Sequence, residues 1–184
     1  MIIGITGGIG SGKSYICNLI KNKYNLFYLN TDIIIQNEIM FYDEVVKNIV
    51  NKFGEDSYID NKINKVKFNN ILYNDKNLYQ INDIIINPLI NYIKKLNETH
   101  SNLLVESSII LNTELYDIID VKILVKSNID DRIKRLLIRY NNDINLVFSK
   151  IKSQSFNEKL VTFVLINDDK INEGIEKIIE KINI

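Results

Sequence analysis

Eight residues carry the clearest chemistry in this sequence. Residues 7–14 read Gly-Gly-Ile-Gly-Ser-Gly-Lys-Ser, the spacing G-x-x-x-x-G-K-S of a phosphate-binding loop. A polyphosphate has to sit against backbone N–H groups at a helix N-terminus, where unpaired donors and the helix dipole favour negative charge. Side chains at Gly7, Gly8, Gly10 and Gly12 would block that approach or forbid the backbone angles it needs. Lys13 has the reach to meet the β- and γ-phosphates, and the Ser14 hydroxyl is placed to ligate Mg2+.

Such a loop needs a strand to deliver it and a helix to receive it. Residues 2–5 form an apolar run with the length and β-branched content of a buried strand. From Tyr15 the pattern turns helical, with Ile16, Leu19 and Ile20 on one face. The plain alternative is a chance glycine turn, and the strand-loop-helix context argues against it.

Further strands are expected at 26–29, 103–105, 121–125 and 161–166. Between 33 and 97 the spacing predicts helices and no strand. One helix covers 45–53 and stops at Gly54, 57–65 is a polar loop, and helices follow at 66–73 and 77–86. Asn87-Pro88 reads as an N-cap with proline at the first helical position, opening a helix to residue 96. Helices are also expected at 130–140, 146–157 and 171–182. Strands separated by helices imply an α/β fold in three layers around a five-stranded parallel sheet. The expected division is a core of residues 1–32, 101–126 and 159–184, a helical insertion at 33–100 and a helical lid at 127–158.

Ligands of such sheets gather beyond the C-terminal ends of the strands. Asp32 follows the second strand there, Glu106 the third, and Asn167 and Asp168 the fifth. A phosphoryl transfer needs a carboxylate that orients the acceptor hydroxyl and takes its proton, and Asp32 suits that task. Equally, Asp32 suits the cap of a helix beginning at Ile33; spacing leaves both readings open. Glu106 either holds Mg2+ through water or caps a turn. Arg135 and Arg139 share a helix face with Arg132 near it, where they either clamp phosphoryl charge or form a solvated surface. His100, the only histidine, sits in a polar stretch and shows no catalytic pattern.

The whole chain narrows the classes. Its 184 residues suffice for a real core. Lys+Arg and Asp+Glu balance at 23 each, so no global field draws the chain to nucleic acid or membrane. The ten tyrosines are scattered without a base-stacking pattern. One cysteine, Cys17, excludes an intrachain disulfide and suits a reducing compartment. No signal peptide or bilayer-spanning run is readable, so a cytoplasmic protein is expected. Asn, Ile and Lys are heavily used and Ala is absent, which weakens propensity arguments.

With these residues in place, the sequence resembles the dephospho-coenzyme A kinases, a P-loop kinase family. That family opens on Thr-Gly-Gly-Ile-Gly-Ser-Gly-Lys-Ser, matched by residues 6–14. Its Asp-Ala-Asp after strand two corresponds to Asn30-Thr31-Asp32. Its insertion motifs are traced in order by Phe53-Gly54, Lys65 to Phe68, Tyr73-Asn74-Asp75 and Asn87-Pro88. Glu106 and Asn112 fall at the Asp and Glu of its next strand region, while Arg135, Arg139, Gln154 and Asn167 match its lid and final strand.

The resemblance implies transfer of the ATP γ-phosphoryl to the ribose 3′-hydroxyl of dephospho-CoA, giving CoA and ADP. It makes Asp32 the base and Ser14 the Mg2+ ligand. Lys13 and the loop residues Gly8, Ile9, Gly10, Ser11, Gly12, Ser14 and Tyr15, with Asn167, would hold the nucleotide. Arg135 and Arg139 would close from the lid, and the insertion would grip the acceptor. Departures are Tyr15 for Thr, Asn87 for His, Lys65 for Arg, Asn112 for Glu and Tyr140 for Asp. Lysine in place of arginine loses bidentate geometry. The phosphate end is therefore intact, and the acceptor end has drifted.

Three rival readings stand beside this one. Another small-molecule or nucleotide kinase on the same fold would be separated by an acceptor screen. A GTP-dependent switch would need Asn-Lys-x-Asp, and the nearest string, Asn61-Lys62-Ile63-Asn64, lacks the Asp. A drifted ATP binder would bind without turnover.

Overall fold

The computed structural model describes every residue except 73, 74 and 153. Tyr73 and Asn74 of the motif trace above therefore lie outside the described residues. In chain order the elements are β1 (Ile2–Gly7), α1 (Lys13–Tyr24), β2 (Phe27–Asn30), α2 (Thr31–Asn37) and α3 (Asp43–Phe53). A short hairpin, β3 (Tyr58–Ile59) and β4 (Lys62–Ile63), precedes α4 (Lys65–Leu72) and α5 (Asp75–Thr99). Then come β5 (Leu103–Glu106), α6 (Leu115–Ile118), β6 (Val121–Lys126), α7 (Ile129–Arg139), α8 (Ile144–Lys152), β7 (Phe163–Ile166) and α9 (Ile171–Lys181).

The main sheet has five parallel strands in the order β2-β5-β1-β6-β7. Strand β1 is buried along its length, which is why it reads as an unbroken apolar run rather than an alternation. Its register sets Ile5 beside Glu106 of β5 and beside Ile123 of β6. The chain thus continues to opposite sides of β1, and the loop after β1 leaves at that switch point. On one face Ile3 and Ile5 pack with Ile16, Cys17 and Ile20 of α1 and Ile175, Ile178 and Ile179 of α9. On the other, a Cβ on Gly4 would meet Ile119 and Ile110. Helical segments therefore cover both faces.

The chain divides into two compact units, residues 1–29 with 99–184, and residues 30–98. The first holds the sheet. The second is mainly helical, with Ile39, Val45, Ile49, Ile85, Leu89 and Ile93 buried.

Several expectations are corrected. The stretch 57–65 is not an unstructured loop: Tyr58 pairs with Ile63 and Ile59 with Lys62, around Asp60 and Asn61 at φ 49° and 58°. Two left-handed residues give the tight turn that suits a hairpin, and two-residue strands are too short to show alternation. The helices expected at 77–86 and from Pro88 are one helix, α5, with Pro88 inside it. Its buried stripe of Ile81, Ile85, Leu89 and Ile93 runs through the proline, so packing outweighs the lost hydrogen bond. Asn87 is therefore a mid-helix residue and no cap. The helix after β2 starts at Thr31, and its cap is Asn30, whose side chain accepts from Ile33 N at 3.2 Å. Helix α8 runs from Ile144 to Lys152, and Asn157 caps a separate short turn, accepting from Lys159 N.

Candidate active site: the phosphate loop and its supports

The loop between β1 and α1 is shaped by glycine and held by side chains from distant segments. Gly12 is the N-cap of α1 at φ 94°, and a Cβ there would stand 2.2 Å from Asn167 Nδ2. That position therefore admits only glycine, both for its backbone angle and for the close approach. Asn167 in turn donates from Nδ2 to the Ser11 carbonyl at 2.8 Å.

Lys13 Nζ donates to the Gly7 carbonyl at 2.9 Å and the Gly8 carbonyl at 3.3 Å. These bonds hold the ammonium over the loop, within the reach that a phosphate oxygen needs. Ser14 Oγ donates to Glu106 Oε1 at 2.6 Å, and Tyr28 donates its O–H to Oε2 of the same carboxylate. Tyr15 is exposed. With Gly12 as cap, α1 begins at Lys13, so the loop ends on a helix N-terminus whose unpaired donors favour an anion.

Side chains from the stretch 127–158 touch the loop at three places. Gln154 Oε1 accepts from Ile9 N at 2.6 Å. Arg132 Nε donates to the Ile9 carbonyl at 3.0 Å, and Arg135 Nη1 donates to the Gly10 carbonyl at 2.9 Å and to Ser127 Oγ. Arg132 lies so close that a Cβ on Gly8 would meet its Nη2 at 2.5 Å. Burial holds its pKa below the usual guanidinium value, and Nη2 has no hydrogen-bond partner among the described residues. Arg139 is not brought to the loop; it is exposed, with its guanidinium 5.7 Å from the Tyr140 ring.

Asp32 is exposed in the first turn of α2, directly after β2. The capping role weighed for it belongs to Asn30. His100 lies before β5, at the other end of that strand from the loop, against the Phe27 ring and Thr99 Oγ1.

One site residue, Tyr28, escaped the sequence reading, and Arg132 entered it only as a neighbour of the Arg135 and Arg139 face. Tyr28 sits mid-strand among scattered tyrosines and gives no local sign. Arg132 does leave one: the chain's three arginines all fall on α7, and every other cation is lysine. Arginine concentrated on one helix marks planar, multi-donor contacts that lysine cannot make.

The residues present fit a nucleotide with a divalent cation. A hydroxyl beside a carboxylate is a hard-oxygen donor pair suited to Mg2+. No cluster of three or more His, Cys, Asp or Glu able to hold a metal occurs among the described residues, so most ligands would come from phosphate and water.

A parallel sheet with a glycine loop, lysine and serine at its switch point defines a P-loop kinase fold. Comparison with known proteins narrows the class. The family model for dephospho-CoA kinase matches residues 1–173, and the chain belongs to that family. Dephospho-CoA kinase of Clostridium tetani (strain Massachusetts / E88) is 29% identical over 196 residues, covering 98% of this chain and 86% of the relative. The enzyme of Bacteroides fragilis (strain ATCC 25285) is 28% identical over 175 residues, covering 90% and 84%. A solved structure from Thermus thermophilus superposes with a TM-score of 0.78 at 18% identity, covering 100% of this chain and 96% of that one. That likeness concerns the fold. No helix among the described residues is long and apolar enough to cross a membrane.

Proposed function

We propose that this kinase transfers the γ-phosphoryl of ATP to the ribose 3′-hydroxyl of dephospho-CoA, giving CoA and ADP, with Mg2+ as the accompanying cation. The observation that carries the reading is the Ser14–Glu106 hydrogen bond at the end of a glycine-shaped phosphate loop, in a chain of this family.

Each residue then has a task. The loop amides from Gly8 to Tyr15 and the start of α1 cradle the phosphates. Lys13 exchanges its carbonyl partners for phosphate oxygens. Ser14 would hold the cation and Glu106 would support it through water, where the two already share a hydrogen bond. When bound, Mg2+ offsets the charge on the phosphate oxygens. Asp32 orients the acceptor hydroxyl and takes its proton. Arg135 and Arg139 close from the lid segment 127–158 and keep out the water that would otherwise hydrolyse ATP. Residues 33–100 recognise the acceptor. A cytoplasmic setting accords with the buried free thiol of Cys17.

The test is steady-state turnover with Mg-ATP and dephospho-CoA for the unaltered chain and Asp32→Asn. Turnover should fall about 100-fold or more while ATP affinity stays within about twofold. Equal losses in both, or a collapse in folding stability, would remove Asp32 from the chemistry.

A further inference from the structure

Glu106 is a carboxylate with only 5% of its surface exposed, and donors meet both of its oxygens. Ser14 Oγ, at the start of α1, donates to Oε1 at 2.6 Å. The Tyr28 hydroxyl, from β2, donates to Oε2. Strand β2 borders β5 on the side away from β1, so three elements converge on this one side chain at the end of β5. The phenol is itself held in place. Its ring packs against the cluster containing Ile16, Cys17 and Ile20, and Lys21 Nζ stands 5.8 Å from the ring centroid.

The arrangement answers a specific problem. Glutamate has one more rotatable bond than the aspartate found at this point in the resemblance, and a longer side chain has more rotamers to lose. A buried carboxylate also needs donors to offset its desolvation. A donor on Oε2 meets both needs, selecting one carboxylate orientation and leaving Oε1 facing Ser14. Phenylalanine would fill the same space and supply no donor.

We propose that Tyr28 is a positioning residue for the metal side of the site: its hydroxyl orients the Glu106 carboxylate toward Ser14, and thereby sets how strongly a divalent cation is taken up together with nucleotide. The inference rests on the function proposed above.

The experiment is calorimetric titration of the full chain with ADP, with and without Mg2+, reading the ratio of the two affinities. For Tyr28→Phe the Mg2+ enhancement should fall about three- to tenfold, the worth of weakening one charge-assisted hydrogen bond. ADP affinity without Mg2+ should change by less than about twofold. In a Glu106→Gln background Tyr28→Phe should cause no further loss, since the carboxylate it orients is gone. This pair guards against a trivial effect, because a general loss of stability would weaken binding in both backgrounds. An unchanged enhancement in Tyr28→Phe, or the same loss in both backgrounds, overturns the role of Tyr28 and leaves the function standing. An unaltered chain with no Mg2+ enhancement at all overturns the function reading and this inference with it.

Discussion

Asn167 Nδ2 donates to the Ser11 carbonyl at 2.8 Å, tying the residue after β7 to a loop 156 positions earlier. It is one of four such ties. Gln154 and Arg132 hold the two sides of Ile9, and Arg135 holds Gly10. Three consecutive loop residues are thus fixed by side chains from the last third of the chain. A loop ordered before its ligand arrives loses less entropy on binding.

Asn167→Ala should therefore weaken nucleotide binding about fivefold, the worth of one hydrogen bond, with little change in turnover at saturating ATP. Initial rates against ATP concentration measure both. A fall in saturated turnover with an unchanged KM would place Asn167 in the chemical step instead.

Gly12→Ala should be far more damaging. The backbone angle of 94° strains any side chain there, and the new Cβ would meet Asn167 Nδ2 at 2.2 Å. Such strain costs about 1–3 kcal/mol, so ADP affinity should fall about tenfold or more. Adding Asn167→Ala removes the collision and leaves the angle, and should restore only part of the loss. Full restoration would show that the angle is harmless.

The two ends of α7 should behave differently. Arg132→Lys removes the Nε donor to Ile9 and should weaken ADP binding with no acceptor present. Arg139→Lys, on the exposed side, should leave ADP affinity within about twofold. Titration of both variants with ADP decides it, and equal losses would contradict the division.

The readability of this chain follows the length and locality of its signals. The phosphate loop was legible because strand, glycines and helix are adjacent in sequence. The inner strands β1, β5 and β6 were legible because buried parallel strands are apolar runs, and the half-exposed edge strands β2 and β7 because they too are short apolar stretches. The β3–β4 hairpin was not, since its strands are two residues each, and α5 was divided because Pro88 normally opens a helix. Only the continuation of its buried stripe past the proline overrides that rule. Around the site, Glu106 and Asn167 could be named from their places after strands. Tyr28 could not, because its contact reaches 78 positions along the chain. Asn30 was overlooked as a cap because Asp32 offered the more obvious carboxylate.

Cys17 supplies a test of the core. Burial, aided by the nearby Glu106 charge, pushes its thiol well above the ordinary value of 9.0. Below that value the thiol is neutral in both folded and unfolded chains. Above it only the unfolded thiol ionises, so stability should fall as pH rises beyond 9. The slope of unfolding free energy against pH should flatten in Cys17→Ser, and an identical slope in both would remove Cys17 as its source. At neutral pH the folded chain should resist thiol alkylation that proceeds readily in denaturant.

The most direct measurement is ADP release by the purified chain with Mg-ATP, with and without dephospho-CoA, with the product identified by mass. ADP formed only when the acceptor is present, together with 3′-phosphorylated product, is the predicted result, and Lys13→Ala should abolish it. ATP binding without dephospho-CoA turnover would keep the fold and contradict the assigned acceptor, turning attention to Lys65, Asn87 and Asn112.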